Sequence, residues 1–283
     1  MSRWNSAGPT RILLGILAVA LLAGMSPKPP ARTIEATPAA YQAWRNALVE
    51  VGPNLAAPGH LGFFGRLRHI ERFLAHIPAD AKLPAVLYLH DCPGLKIEAV
   101  RDVDELAAAG FAVFAPDSFD SRDRKSDCVR FEYVAGLNPD AYLQRQSEIL
   151  VALTEMTKLP WIDGSSIILY GLGEGALAAA NYPGDEFRGV VLTGWTCGAA
   201  QYPQEVAGLK TPTDTPVLAL VSRYDPWFDR NGRAGNCGAY MAGRKYAQSV
   251  VIESQGLHHI TWSDGRAREA VRRFVTSLKP PRL

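Results

Sequence analysis

From residue 84 onward, short apolar runs alternate with longer stretches in which apolar residues return every three or four positions. The runs at 85–89, 112–115, 166–170, 190–193, 217–221 and 250–253 each have the length and residue types of a buried strand. Between them, 98–109, 141–156, 174–181 and 267–278 read as helices, the second carrying Ile149, Leu150, Leu153 and Met156 on one face. Continuous apolar strands separated by amphipathic helices indicate a parallel sheet, because crossover helices bury both of its faces. With no internal repeat and no second block of strands, the pattern predicts one α/β domain, a mostly parallel doubly wound sheet flanked by helices. Ahead of it, Tyr41, Trp44, Leu48 and Val51 recur at helical spacing and predict a surface helix over 40–51, with another over 67–77.

The first residues follow a different pattern. Arg3 and Arg11 precede an apolar stretch over 12–24, which runs into Ser26, Pro27, Lys28, Pro29 and Pro30. Basic, then apolar, then turn-forming is the layout of an export signal, and about a dozen apolar residues fall short of the roughly 20 that span a bilayer core. We therefore expect residues 1–26 to be an export signal or N-terminal anchor, 27–40 a Pro-, Ala- and Thr-rich linker, and 41–283 a single folded domain. The expected location is periplasmic or extracellular, with the membrane met only through the N-terminal segment if that segment stays uncleaved.

Composition adds limits. The chain has 283 residues, 47% hydrophobic and 20% charged, enough to bury the core of one catalytic-size domain. A formal charge of +2, with Lys and Arg spread evenly, gives no footprint for nucleic acid. The four cysteines all lie beyond the export segment, and an even count in an oxidising compartment implies bridges, for which order along the chain allows three pairings. No Cys or His spacing suggests a metal, and nothing implies an organic cofactor.

Chemistry in a doubly wound sheet collects at the carboxyl ends of the strands. The strand at 166–170 runs into Gly171-Leu172-Gly173-Glu174-Gly175-Ala176, a glycine-rich turn that opens a helix of small residues. Read alone, this turn also suits a dinucleotide loop, since Ala176 is tolerated at the last glycine of that fingerprint. Against that, the turn follows a middle strand, and no acidic residue closes another strand about 20 residues on. The next strand ends carry Asp225, with Asp229 as the second choice, and then Gly256-Leu257-His258-His259. Nucleophile position, acid, histidine is the chain order of a hydrolase triad in which histidine takes the nucleophile's proton and a buried carboxylate orients the histidine.

These motifs, over about residues 84–278, resemble the α/β-hydrolase fold and within it the dienelactone hydrolase-like family. The resemblance places the nucleophile elbow at Gly171–Gly175, with Gly173 where serine or cysteine belongs, and implies Asp225 and His259 as the other two members. It matches Leu89-His90-Asp91-Cys92-Pro93-Gly94 to the family's His-Gly-x-x-Gly loop, with Asp91 in place of the usual glycine. The implied oxyanion-hole amides are those of Cys92 and Glu174, the acidic side chain of Glu174 being a first-turn residue favoured by the helix dipole. Pro116-Asp117-Ser118-Phe119 resembles a strand end of exported relatives, and Cys128 follows behind it. Cys92 and Cys128 then flank neighbouring strands, which favours pairing Cys92 with Cys128 and Cys197 with Cys237.

Glycine at 173 removes the atom that forms an acyl-enzyme, while its conformational freedom suits the strained elbow. Three readings follow. The chain is an ester or lactone hydrolase that works by another route, through water activated by His259 or a substitute nucleophile. Ser118 is the best-placed substitute, and Cys92 or Cys197 qualify only if unbridged. Alternatively the chain is a non-catalytic protein that binds a small ester, lactone or aromatic molecule, with Trp195, Trp227 and Trp262 lining the pocket. The third reading is an ordinary hydrolase in which a serine has been replaced.

Overall fold

The computed structural model describes residues 34–53, 55, 58–120, 128–129, 134–198, 207–229, 235–253 and 263–280. Their centre is an eight-stranded sheet in the order β10-β9-β8-β7-β3-β4-β1-β2, and β5 (Cys128–Val129) and β6 (Val134–Ala135) form a separate antiparallel pair. The six strands β3 (Leu83–Leu89), β4 (Ala112–Ala115), β7 (Ile162–Leu172), β8 (Gly189–Thr193), β9 (Val217–Ser222) and β10 (Ala247–Ile252) run parallel. All six contain or overlap the apolar runs expected from the sequence.

The inner parallel strands carry apolar runs where both of their faces are covered. On β3, Ala85, Leu87 and Leu89 enter one core, while Val86 and Tyr88 enter the other; on β7, Ile167 and Leu169 part from Ile168 and Tyr170 in the same way. The first core is closed by α4 (Ala141–Thr157) and α5 (Glu174–Ala180), and the second by α3 (Ile97–Ala108) and α7 (Gly265–Ser277). Burying a large aliphatic side chain contributes about 1.5–3 kcal/mol, so these two layers hold the sheet and fix its strand ends.

The N-terminal side differs from expectation. The periodicity predicted one helix over 40–51, but α1 (Pro38–Arg45) stops at Asn46, whose side chain donates back to the Gln42 carbonyl. Residues Leu48–Val51 form β1, paired antiparallel with both β4 and β2 (Phe63–Arg66). Leu48 and Val49 go into opposite cores, so the same apolar residues satisfy a period of two once they sit beside β4. The helix predicted over 67–77 is α2 (Leu67–Leu74), which ends three residues early, before Pro78. The expected linker over 27–40 overlaps the folded body. Ile34 packs on the first core, Thr37 caps α1, and the Thr37 amide donates to Ser147 Oγ at 3.0 Å. The expected export segment, residues 1–26, lies outside the described residues.

Candidate functional site

Between β7 and α5 the chain turns through Gly173, at φ 55° and ψ −113°. L residues with a side chain rarely adopt that backbone, and a turn this tight needs its neighbours bare as well. A Cβ on Gly171 would fall inside the backbone of Gly175 and Ala176, and one on Gly175 would meet the Leu89 carbonyl. The Gly173 amide donates to the Thr193 carbonyl at 2.9 Å, and its own carbonyl accepts the amides of Ala176 and Leu177. The turn thus has the conformation of an elbow that would project a side chain at 173, and the residue there has none.

That space is filled from the neighbouring strand. β3 pairs with β7 so that Leu89 stands opposite Gly171, which carries Asp91 to the elbow. A Cβ built on Gly173 would overlap the Asp91 carboxylate, at Oδ1 and Cγ. The same Oδ1 accepts the Glu174 amide at 3.0 Å. The amide that the resemblance assigned to a substrate oxyanion is therefore engaged by a carboxylate of the chain itself. Asp91 is only 7% exposed, so water screens this contact little.

Behind the elbow lies a cluster that sequence reasoning missed. Arg145, on α4, is fully buried. Its Nε donates to Glu174 Oε1 at 2.6 Å and its Nη1 to Glu148 Oε2 at 3.2 Å, and Nη1 also contacts Ser118 Oγ. Nη2 donates to the His90 carbonyl at 2.8 Å. Burial acts to lower the guanidinium pKa, but the charges of Glu174 and Glu148 outweigh it and hold the pKa above its ordinary value. The Ser118 amide donates to His90 Nε2 at 3.2 Å, and Nδ1 of the same ring lies 2.7 Å from the Asp91 carbonyl and 3.0 Å from Arg145 Nη2. One buried cation thereby ties together the loops after β3 and β4 and the first residue of α5. Its signal in the sequence is the polar run Gln144 to Glu148 inside a helix otherwise read as amphipathic.

The other expected site residues fall as follows. Ser118 is buried, and its hydroxyl donates to Glu148 Oε2 at 2.7 Å while accepting from Arg145. Asp225 sits just past β9, 1% exposed, with Oδ1 accepting the Trp227 amide at 3.0 Å. Trp195 packs edge-on against Phe228, ring centres 5.8 Å apart, and both belong with Trp227 to the first core. Cys92 is bridged to Cys128 and Cys197 to Cys237, which removes either sulfur as a thiol nucleophile. Asp229 ends the short helix Pro226–Asp229 beyond Asp225. His258, His259 and Trp262 lie outside the described residues.

The chain is similar in structure to a phospholipase/carboxylesterase from Dyadobacter fermentans, at 18% identity and a TM-score of 0.45, over 70% of this chain and 92% of that one. A dienelactone hydrolase-like promiscuous phosphotriesterase from metagenomic libraries aligns at 19% identity and a TM-score of 0.48, over 70% of this chain and 87% of its own. A hyperthermophilic esterase from the archaeon Pyrobaculum calidifontis aligns at 18% identity and a TM-score of 0.42, over 70% of this chain and 77% of its own. No curated protein matches the sequence. The model of the dienelactone hydrolase family matches residues 72–245, more than half of the chain, and those residues contain the elbow, Asp91, Arg145 and Asp225. The fold is that of the α/β-hydrolases, and the chain belongs to the dienelactone hydrolase family.

Proposed function

We propose that this protein keeps the family's pocket for a small ester- or lactone-like molecule and does not turn such a molecule over through an acyl-enzyme. One observation carries the reading: at the elbow Gly173 offers no oxygen or sulfur, and the Asp91 carboxylate holds both the nucleophile's space and the Glu174 amide. Acyl transfer needs an attacking atom, which the elbow lacks, and donors for the oxyanion, of which the Glu174 amide is already engaged. Asp225, buried beyond β9, supports retention of the remaining site, with His259 as its expected partner and Trp195, Trp227 and Trp262 as the aromatic side of the pocket. Two disulfides support export to an oxidising compartment, in line with the arginine-led apolar N-terminus.

The test pairs calorimetric binding of a small lactone and a short-chain aryl ester with assays of their hydrolysis. Saturable binding with turnover at the buffer rate is the expected outcome. Turnover by the wild type that disappears in His259→Ala would overturn the reading in favour of a hydrolase that activates water directly.

A further inference from the structure

The outer face of α1 opens on a cleft away from the elbow. α1 buries Ala40, Ala43 and Trp44 on its inner side. Pro38, Tyr41, Gln42 and Arg45, three or four residues apart in turn, share the opposite side. With Asn46, Arg68 on α2 and Asp120 in the loop after β4, they line a cleft of about 470 Å³, a size usual for small-molecule sites. Its Arg45 end stands at the carboxyl edge of the sheet. β1 runs antiparallel to β4 and so brings the end of α1 beside the loop after β4, where the Asp117 amide donates to the Ala43 carbonyl at 3.1 Å. The cleft shares no residue with the elbow and does not depend on the strand-end pocket being retained.

We propose that this cleft binds a sugar acid, a single carboxylate carried on a ring of hydroxyls. Three features select that chemistry. The first is an uncommitted guanidinium. Arg45 is exposed, and among the described residues its side chain makes no hydrogen bond or ion pair. Its planar fork suits a carboxylate taken by two parallel hydrogen bonds.

The second is net charge. Arg68 is fixed in the cleft by its Nη1 donating to Asn46 Oδ1, and Asn46 is itself only 5% exposed. The same Nη1 lies 3.8 Å from Asp120 Oδ2. Two cations and one carboxylate leave a single positive charge, which matches a monoanion, while Asp120 opposes the second charge of a phosphate.

The third is a set of partners for hydroxyls. A carboxylate only accepts hydrogen bonds. Among the described residues Asp120 Oδ1 accepts none, and Oδ2 accepts a long one from Gln42 Nε2, at 3.5 Å. Neighbouring sugar hydroxyls supply the donors that this group lacks. Gln42 is already oriented, because the same Nε2 donates to the Asp120 carbonyl at 2.9 Å, and its Oε1 is open to a further hydroxyl. Tyr41, 44% exposed, and Pro38 give the cleft an apolar side for the C–H face of the ring.

The experiment titrates the full chain, bridges intact, with D-glucuronate and D-galacturonate in a calorimeter; D-galactose, propionate and inorganic phosphate serve as comparisons. Saturable binding of at least one sugar acid is expected. Galactose lacks the carboxylate and propionate the hydroxyls, so each should bind about 10-fold more weakly or worse, and phosphate should also be the weaker ligand. Arg45→Gln should bring the sugar acid down to the level of galactose, and Asp120→Ala down to the level of propionate. Since the Arg45 side chain has no partner among the described residues, the first variant leaves the fold intact. Binding of neither sugar acid by the folded wild type, or binding undiminished in either variant, would overturn the proposal. Propionate or phosphate bound as tightly as the sugar acid would overturn it too, leaving a general anion site.

Discussion

Restoring a serine at 173 should not restore an esterase unless Asp91 is cut back with it. A Cβ at 173 would overlap the Asp91 carboxylate, so Gly173→Ser forces Asp91 to swing away and release the Glu174 amide, 3.0 Å from Oδ1. A hydrogen bond to a charged group contributes about 1.5–3 kcal/mol. Holding a side-chain-bearing residue at φ 55° and ψ −113° costs about 1–3 kcal/mol. The single variant should therefore lose about 2.5–6 kcal/mol of stability. In an Asp91→Gly background the serine carries the backbone cost alone, so the double variant should be about 1.5–3 kcal/mol more stable than the sum of the singles. It also opens the Glu174 amide to a substrate oxygen, and one such donor is worth roughly 100-fold or more in rate. Urea unfolding of the four proteins gives the coupling, and initial rates on an aryl acetate give the activity. If Gly173→Ser alone matches the double variant in rate, or if the stabilities add within about 0.5 kcal/mol, the carboxylate does not stand where the nucleophile would.

Three further outcomes are expected. Arg145→Met should cost about 3–5 kcal/mol in urea unfolding, because Glu174 and Glu148 would be left buried without their cation; a loss below about 1 kcal/mol would deny Arg145 its tying role. Cys197→Ala combined with Cys237→Ala opens a link between residues 40 apart, and the chain-entropy model puts the loss near 4 kcal/mol at 25 °C. Glu50 is half-buried, and burial first, then Asp104 beside it, raises its pKa from 4.5 to about 7. The protonated form thus favours the fold, a contribution fully present below pH 4.5 and lost as pH rises through about 7. Wild-type stability relative to Glu50→Gln should fall across that window by about 1–2 kcal/mol after allowance for solvent screening, and a flat difference would reject the assignment.

What could be read from the sequence follows from how each feature is encoded. The inner parallel strands were legible because burial on both faces writes them as apolar runs, and the helices because they bury one face. β1 was not, since Leu48 and Val51 fit a helical spacing as well as a strand, and only pairing with β4 decides between them. That Gly173 and Asp225 stand just past strand ends was legible because strand and turn signals are local. The meeting of Asp91 with the elbow was not, because Glu174 and Asp91 lie 83 residues apart and are joined through the register of β3 on β7. Both departures from the family's motifs, aspartate for glycine at 91 and glycine for the nucleophile at 173, were visible one at a time; their compensation is a fact of three dimensions. Arg145 was hidden for a related reason, as a charged residue inside a helix reads as solvent-facing until its partners after β3, after β4 and on α5 are known.

The filled elbow also changes what the word homologue should mean in this family. Sorting aligned sequences by whether the elbow holds serine or cysteine would file this chain among the defective copies. If the carboxylate at 91 and the bare residue at 173 form one unit, they are constrained to change together, since aspartate beside an elbow serine is a collision and glycine at both places is a void. Chains that lack the elbow nucleophile should then divide into two groups, those with an acid in the facing loop and those without, and only the second group is expected to drift freely at the positions around it.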